Sequence, residues 1–589
     1  MNQYMQLPSE SRLTLFALAE GLTRAGKLSA KNLARLRGVS PSAMHPLVYL
    51  AEQRLPDLSR PGEIHEMDSL LAFLAEDTDQ PVYDIDPLKI EIAAISEVMS
   101  RAFAQRHRIL AVEITSDQVV IASADPMVRA WERDLEHVVR RPIKRVLADP
   151  REIARLTDEL YTMAGSVRGA HGATRGEASH QITNLESMLQ IGSNREPDAN
   201  DQHIVSVVDW LLQYAFEQRA SDIHIEPRRE VSNVRLRIDG VLHPVYELPA
   251  AVGAAVTSRF KVLARLDVAE KRRPQDGRLK TRTPEGNEVE LRLSTLPTAF
   301  GEKLVMRIFD PDVLLKSFEE LGLRGLNFSR WEAMIGSGTG IVLVTGPTGS
   351  GKTTTLYSAL RRLATATVNV CTIEDPIEMV EPAFNQMQVN HGIDLDFASG
   401  VRALMRQDPD IIMIGEIRDL ETAHMAIQAA LTGHLVLTTL HTNDSPGAIS
   451  RLNELGVPAF LIRATVRGVM SQRLVRTLCN SCKTLADTDV SGWQALVGVT
   501  RPMPVQVYRP VGCRLCRETG YYGREGIYEV LVSSPELQEY IIEGQSTRDI
   551  RAAAVADGMT PLRLAGAEKI ERGETTIEEV LRVAPALED

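Results

Sequence analysis

The residues most able to do chemistry form one short run, Gly346-Pro347-Thr348-Gly349-Ser350-Gly351-Lys352-Thr353. Its spacing is G-x-x-x-x-G-K-[ST], and it stands between an apolar stretch, GIVLVTG, and a helical one, TTTLYSALRRL. A chain that wraps an anion must turn backbone N–H groups inward and keep side chains out of the way. Glycine permits this, and the start of the following helix adds partial positive charge. Lys352 is placed to bridge the β and γ phosphates of a nucleotide. The hydroxyl of Thr353 is placed to ligate Mg²⁺, with Thr354 beside it as a further nucleotide contact.

Two acidic clusters follow. DIIMIGE ends on Glu416, where a phosphate-loop protein presents its second acidic strand. Gly415 holds the place usually taken by aspartate, so Glu416 is expected to reach the metal or to activate the attacking water. TIEDPIE closes another apolar run with Glu374, Asp375 and Glu378. Carboxylates at the carboxyl ends of parallel strands fall where open α/β sheets bind ligands. His434 and His441 bracket LVLTTL, and His441, at the strand end, is the better placed to meet phosphate. Further on, Cys479-x-x-Cys482 and Cys513-x-x-Cys516 offer two thiolate pairs, the arrangement that holds tetrahedral Zn²⁺. The fifth cysteine, Cys371, lies inside an apolar run and reads as core.

Positioning these groups requires a parallel sheet. GIVLVTG, VNVCTIE, DIIMIGE and HLVLTTLH are short continuous apolar runs with helical stretches between them, the pattern of an α/β domain. That domain is expected over 321–589, with a cysteine insert at 479–516. An α+β domain is expected over 201–310, its helix IVSVVDWLLQYAFEQRA followed by a hairpin turning at Asp239-Gly240. Residues 1–163 read as helices plus a short sheet, with helices at Ser11–Glu20 and Ser29–Leu36 and two strands in RILAVEITSDQVVIASADP. The four glycines of AGSVRGAHGATRGEASH mark a flexible linker over 164–200. The 589 residues carry 66 basic and 78 acidic side chains, a formal charge of −12, which argues against a dedicated nucleic-acid coat. No apolar run approaches the ~20 residues that span a bilayer, and the N-terminus has no secretory-signal pattern.

Taken in order, ASDIHIEP (220–227), RPQDGR (273–278), LRLSTLPTAFGEKLVMR (291–307), GPTGSGKT (346–353), TIEDPIE (372–378), RQDPDIIMIGEIRDLETA (406–423) and TGHLVLTTLHTND (432–444) resemble the type II secretion and type IV pilus assembly ATPases. The resemblance implies a hexameric ring of RecA-like ATPase domains closing around ATP, each preceded by a PAS-like α+β domain and an N-terminal α/β docking module. It implies Glu378 as the water-activating carboxylate, Glu416 as the Walker B glutamate, and His434 and His441 as a histidine pair. Arg235, Arg237, Arg278 and Arg292 become candidates to reach the γ-phosphate, Arg278 foremost, since phosphoryl transfer spreads negative charge over oxygens. The family's tetra-cysteine insert supports Zn²⁺. QPVYDIDPLKI (80–90), QRHRILAV (105–112) and ASADP (122–126) resemble the docking module, which binds platform proteins at the cytoplasmic face of the inner membrane. One branch binds cyclic di-GMP through Arg-Leu-Gly repeats. Here Arg12-Leu13-Thr14 lacks the glycine, and that ligand is not expected.

Within the family the motifs favour a type II secretion ATPase, with pilus extension as the alternative. A nucleic-acid translocase is the rival from another class; the acidic balance and the lack of interleaved aromatic and basic residues speak against it, and no nucleic acid is expected.

Overall fold

The computed structural model describes residues 10–39, 44–60, 62–87, 90, 94–95, 98–175, 198–283, 286–309, 316–498 and 500–586. The chain divides into two compact units, Met1–Phe309 and Asp310–Asp589.

The first unit begins with helices α1 (Leu15–Arg24), α2 (Ala30–Leu36), α3 (Pro46–Glu52) and α4 (Met67–Thr78). The Thr14 hydroxyl caps α1, so this helix starts later than the apolar spacing suggests; Ser29 caps α2 as expected. These four helices close around their own core of Leu18, Leu22, Leu47, Leu70 and Leu74. Next come α5 (Arg101–His107), β1 (Ile109–Ile114), β2 (Val119–Ser123), α6 (Ala130–Val139), β3 (Ile143–Leu147) and α7 (Pro150–Arg175). The three strands form one sheet, β1 antiparallel and β3 parallel to β2.

Helix α7 corrects the expected linker. It runs through Ala164 to Arg175 despite Gly165, Gly169 and Gly172. Each glycine costs a helix about 1 kcal/mol relative to alanine, but Ala164, Ala170, Ala173 and Arg168 interleave with them as good helix formers. The rest of the expected linker, 176–197, lies outside the described residues.

Helix α8 (Gln202–Glu217) leads into β4 (Asp222–Pro227), β5 (Val231–Ile238), β6 (Val241–Pro249), α9 (Ala250–Leu263), β7 (Gln275–Arg282), β8 (Glu288–Thr298) and β9 (Gly301–Phe309). The strands build a six-stranded antiparallel sheet in the order β6-β5-β4-β9-β8-β7. Asp239 and Gly240, both at positive φ, make the hairpin turn between β5 and β6. Alternation along β5 puts Val234, Leu236 and Ile238 inside with α8 and α9. One apolar cluster joins Ile109, Val120 and Leu156 to Val207, Leu211, Ile223 and Met306. The β1–α7 segment and the following α+β region therefore share a core.

On the polar face of that sheet, Glu226 accepts hydrogen bonds from Arg235 (2.7 Å) and Arg228 (3.1 Å) and pairs with Lys303 at 3.0 Å. Its own side chain is 3% exposed. Burial pushes its pKa up, and the bonds from Arg235 and Lys303 more than offset this, bringing it from 4.5 to about 2. A carboxylate with a depressed pKa stabilises the fold fully above its unfolded value and loses that contribution as pH falls through the folded value. Since its partners remain partly exposed, Glu226→Gln is expected to cost about 2 kcal/mol at neutral pH. Denaturant midpoints of parent and variant should converge as the pH drops from 4.5 to 2; a gap that stays constant would show that the charge is not what stabilises the sheet.

The second unit contains α10 (Gly325–Ile335), β10 (Gly340–Thr345), α11 (Lys352–Leu363), β11 (Val370–Glu374), β12 (Asn385–Gln388), α12 (Phe397–Leu404), β13 (Ile411–Ile414), α13 (Leu420–Leu431), β14 (Leu435–Leu440), α14 (Ser445–Glu454), α15 (Ala459–Thr465) and β15 (Val466–Leu478). Then follow β16 (Thr484–Asp487), α16 (Val490–Val497), β17 (Gln506–Arg509), β18 (Tyr521–Val532), α17 (Thr547–Ala556), α18 (Leu562–Glu571) and α19 (Ile577–Val583). Seven strands form the main sheet in the order β12-β11-β13-β14-β10-β15-β18, parallel except for β18. The continuous apolar strands are covered on both faces, one side by α12, α13 and α14, the other by α10 and α11. This α/β unit of RecA-like type, behind an α+β region and an N-terminal α/β segment, is the fold class expected from the sequence.

Candidate functional site

The phosphate loop joins the end of β10 to α11. Gly346 and Gly351 adopt φ of 147° and 88°, conformations that side chains resist. Space forbids side chains there too. A Cβ on Gly346 would lie 2.6 Å from the Gln472 carbonyl oxygen, and one on Gly351 would lie 2.7 Å from the Gln472 Nε2. Pro347, Thr348 and Gly349 form the exposed crest of the loop, and Ser350 turns inward. Lys352 opens α11 and donates from Nζ to the Gly346 and Pro347 carbonyls at 2.7 and 3.1 Å. Burial lowers its pKa to about 8; Glu416 opposes the shift and Arg473 adds to it. Thr353 is exposed on the first turn of α11, and Thr354 is half-buried beside it.

Strands β11, β13, β14 and β10 are adjacent and parallel, so the segments after them emerge at one edge. Glu416 follows β13 and His441 follows β14, and their side chains meet, Nε2 to Oε2 at 2.9 Å. Arg418 takes the other Glu416 oxygen and lies 4.0 Å from Asp375. Glu416 is thus a carboxylate gripped by an imidazole and a guanidinium, and sequence reasoning gave Arg418 no role. Its signal was its place in the run RQDPDIIMIGEIRDLETA, two residues after Glu416.

The second acidic cluster separates into two roles. Glu374, 3% exposed, accepts from Tyr357 Oη at 2.6 Å and Thr372 Oγ1 at 2.7 Å. Burial and this carboxylate raise the tyrosine pKa far above its usual value. Glu374 therefore ties α11 to β11. Glu378 stands beyond it in the loop, half-buried. His434 is not part of this edge. It precedes β14, where its Nδ1 lies 2.8 Å from the Ala429 carbonyl and 3.1 Å from Thr432 Oγ1, finishing α13. A six-residue strand, about 20 Å long, separates it from His441.

Arg278 belongs to the other unit. Strand register places it opposite Arg292, Arg292 opposite Arg307, Arg307 opposite Asp222, and Asp222 opposite Arg237. One row across five strands thus carries four arginines and a single aspartate. Like charges facing each other across strands are unfavourable, and an anion would relieve them. Within the row Arg237 and Arg307 share Asp222 at 3.6 and 3.2 Å, Arg278 reaches Glu290 at 3.3 Å, and Arg292 covers the Phe309 ring. Arg235 is committed to Glu226 instead.

The four predicted metal ligands come together. Cys479, Cys482, Cys513 and Cys516 have all Sγ atoms within 4.8 Å of one another. The Cys479–Cys513, Cys482–Cys516 and Cys513–Cys516 separations are each 3.7 Å. A tetrahedron of sulfurs at the Zn–S distance of about 2.3 Å has edges of about 3.8 Å, so the cluster fits a four-coordinate metal. The Cys513 and Gly520 N–H groups donate to Cys516 Sγ at 3.1 and 3.2 Å, as they would to a ligand thiolate. Cys371 is buried in β11 as core.

Comparison with known proteins agrees with this site. The Type II/IV secretion system protein family matches residues 197–582, and the MshEN domain family matches residues 78–167. The type IV pilus assembly ATPase TfpB of Acinetobacter baylyi is 53% identical over 572 residues, covering 96% of this chain and 97% of that one. The type IV pilus assembly ATPase PilB of Myxococcus xanthus is 39% identical, over 89% of this chain and 92% of its own. The type II secretion system protein HxcR of Pseudomonas aeruginosa is 44% identical, over 73% and 88%. With a complete phosphate loop at the head of a parallel sheet, a MshEN segment before it and ATPases among its full-length relatives, the chain belongs to the type II/IV secretion system ATPase family and hydrolyses ATP.

Proposed function

We propose that the chain is a hexameric, Mg²⁺-dependent motor that drives assembly of pilin-like subunits from the cytoplasmic face of the inner membrane. The observation that carries the reading is the 53% identity to a pilus assembly ATPase along practically the whole of both chains, N-terminal segment included. The same chemistry serves the second reading, pseudopilus assembly and protein export by a type II secretion system. The motifs favour that reading, and HxcR, at 44% identity, supports it. Residues 78–167 are the part proposed to dock on the membrane platform. Among the described residues no helix is long and apolar enough to cross a membrane, consistent with peripheral association through a partner.

In this reading the loop 346–351 wraps the phosphates, and Lys352 exchanges its two loop carbonyls for phosphate oxygens. The Thr353 hydroxyl and the Glu416 carboxylate are the oxygen donors a hard divalent cation takes, and Mg²⁺ supplies charge neutralisation at the phosphates when bound. Glu378 takes the proton of the attacking water, and the arginine row with Arg278 offers countercharge to the γ-phosphate. The four cysteines hold Zn²⁺ as a structural ion.

Lys352→Ala removes a point charge and opens no core cavity. Turnover should fall to background while the thermal melt stays close to that of the parent; near-normal hydrolysis would sink the phosphate-loop assignment.

Glu378→Gln should leave Mg-ADP binding intact and slow turnover by about 10²–10⁴, the usual cost of losing a general base. Glu416→Gln should in addition raise the Mg²⁺ concentration needed for half-maximal turnover, because an amide is a poorer ligand for a hard cation. Titrating Mg²⁺ at fixed ATP separates the two, and the opposite pattern would exchange their roles.

Elemental analysis of protein purified under reducing conditions without chelator should give one zinc per chain. Chelation should loosen the 479–516 insert before the sheet. Metal-free protein with an ordered insert would contradict the zinc assignment.

A further inference from the structure

Beneath the phosphate loop lies a pair of residues, Gln472 and Arg473, to which the sequence reading assigned no role. Gln472 and Arg473 sit side by side on β15, the strand next to β10. Both are buried, at 2% and 4% exposure. The Gln472 carbonyl and side chain fill the spaces that Gly346 and Gly351 leave empty, and Gln472 Oε1 accepts from Thr355 Oγ1 of α11 at 2.8 Å. Arg473 Nη1 lies 3.0 Å from where a Gly346 Cβ would be.

Among the described residues the guanidinium is held by main-chain oxygens alone. It donates to Gln472 O (3.0 Å), Asn443 O (2.6 Å) and Val583 O (3.1 Å). The carboxylates in its neighbourhood are engaged elsewhere. Asp444 pairs with Arg551 at 2.7 Å, and Glu529 accepts from the Ser445 and Leu562 N–H groups. Among the described residues no carboxylate lies within ion-pair distance of Arg473. Burying a cation without a counterion is costly, and a neutral side chain would brace three carbonyl-lined elements at less expense in desolvation. A negatively charged ligand on the far side of the loop would offset that cost.

We propose that Arg473 is a positioning residue for the nucleotide, its guanidinium fixed by three carbonyls under the loop and acting as a permanent positive charge behind the bound phosphates. The proposal rests on the phosphate-loop reading above. The charge acts through the Gly346 backbone and does not change between ground and transition states. It therefore strengthens binding uniformly, lowering KM and leaving kcat alone.

The test uses the full chain, with Mg-ADP binding by calorimetry and Mg-ATP turnover by steady-state kinetics. Arg473→Gln is expected to raise the ADP dissociation constant and KM on the order of tenfold while kcat stays within about threefold. Arg473→Lys, which keeps the charge but cannot span three carbonyls, is expected to return both constants to within about threefold of the parent. ADP binding unchanged in the Gln variant, a fall in kcat with KM unmoved, or a Lys variant no better than Gln would each overturn the proposal, the last two in favour of a purely mechanical brace. If the Gln variant does not fold, the Lys variant decides alone: about threefold or less supports the charge, and about tenfold or more overturns it. A parent protein that binds no ADP would instead overturn the phosphate-loop reading itself, and this proposal with it.

Discussion

A loop that binds phosphate through its backbone must be bare of side chains and still be rigid. In this protein the two demands meet where β10 runs beside β15. Gly346 and Gly351 leave the loop without Cβ atoms, and Gln472 fills the vacated space from the adjacent strand. The Thr355 hydroxyl then pins the first turn of α11 to the same glutamine. The loop is consequently held from below by packing, leaving its crest, Pro347 to Gly349, exposed. Much of the second unit can be read as support for that contact. The parallel strands β10, β14, β13 and β11 set the height of the site, and α11 is anchored at Glu374 through Tyr357.

The electrostatics follow from the same geometry. Burial depresses the Lys352 pKa to about 8, and its bonds are to loop carbonyls that it can exchange for a better anionic partner. Glu416 faces it from β13, already gripped by His441 and Arg418. Lys352 and Arg418 thus stand at the same edge as the acidic groups, and a triphosphate is the kind of ligand that would draw the lysine away from its carbonyls. In the first unit the row Arg237, Asp222, Arg307, Arg292 and Arg278 carries an excess of positive charge on a different scaffold.

Local pattern made the phosphate loop, the apolar strands of the main sheet and the cysteine pairs legible, since each is written in a few consecutive residues. The groups that sequence reasoning missed depend on long-range pairing. Gln472 and Arg473 acquire their place only because β15, more than a hundred residues after β10, inserts beside it. Arg307 joins the arginine row through strand register alone. The family resemblance groups His434 with His441, yet opposite ends of a strand lie at opposite edges of the sheet. Glycine content suggested a linker from Ala164, but α7 had already been nucleated against the core by Ile153, Leu156 and Leu160, and propagation costs less than initiation.

The central claim is that nucleotide is held by the backbone of the loop at the head of β10. Hydrogen–deuterium exchange of the full chain, with and without Mg-ADP, tests it most directly. The account predicts marked slowing in peptides that cover residues 346–353, because their N–H groups become donors to phosphate. Saturating Mg-ADP that leaves exchange in this loop unchanged while slowing it elsewhere would contradict the account.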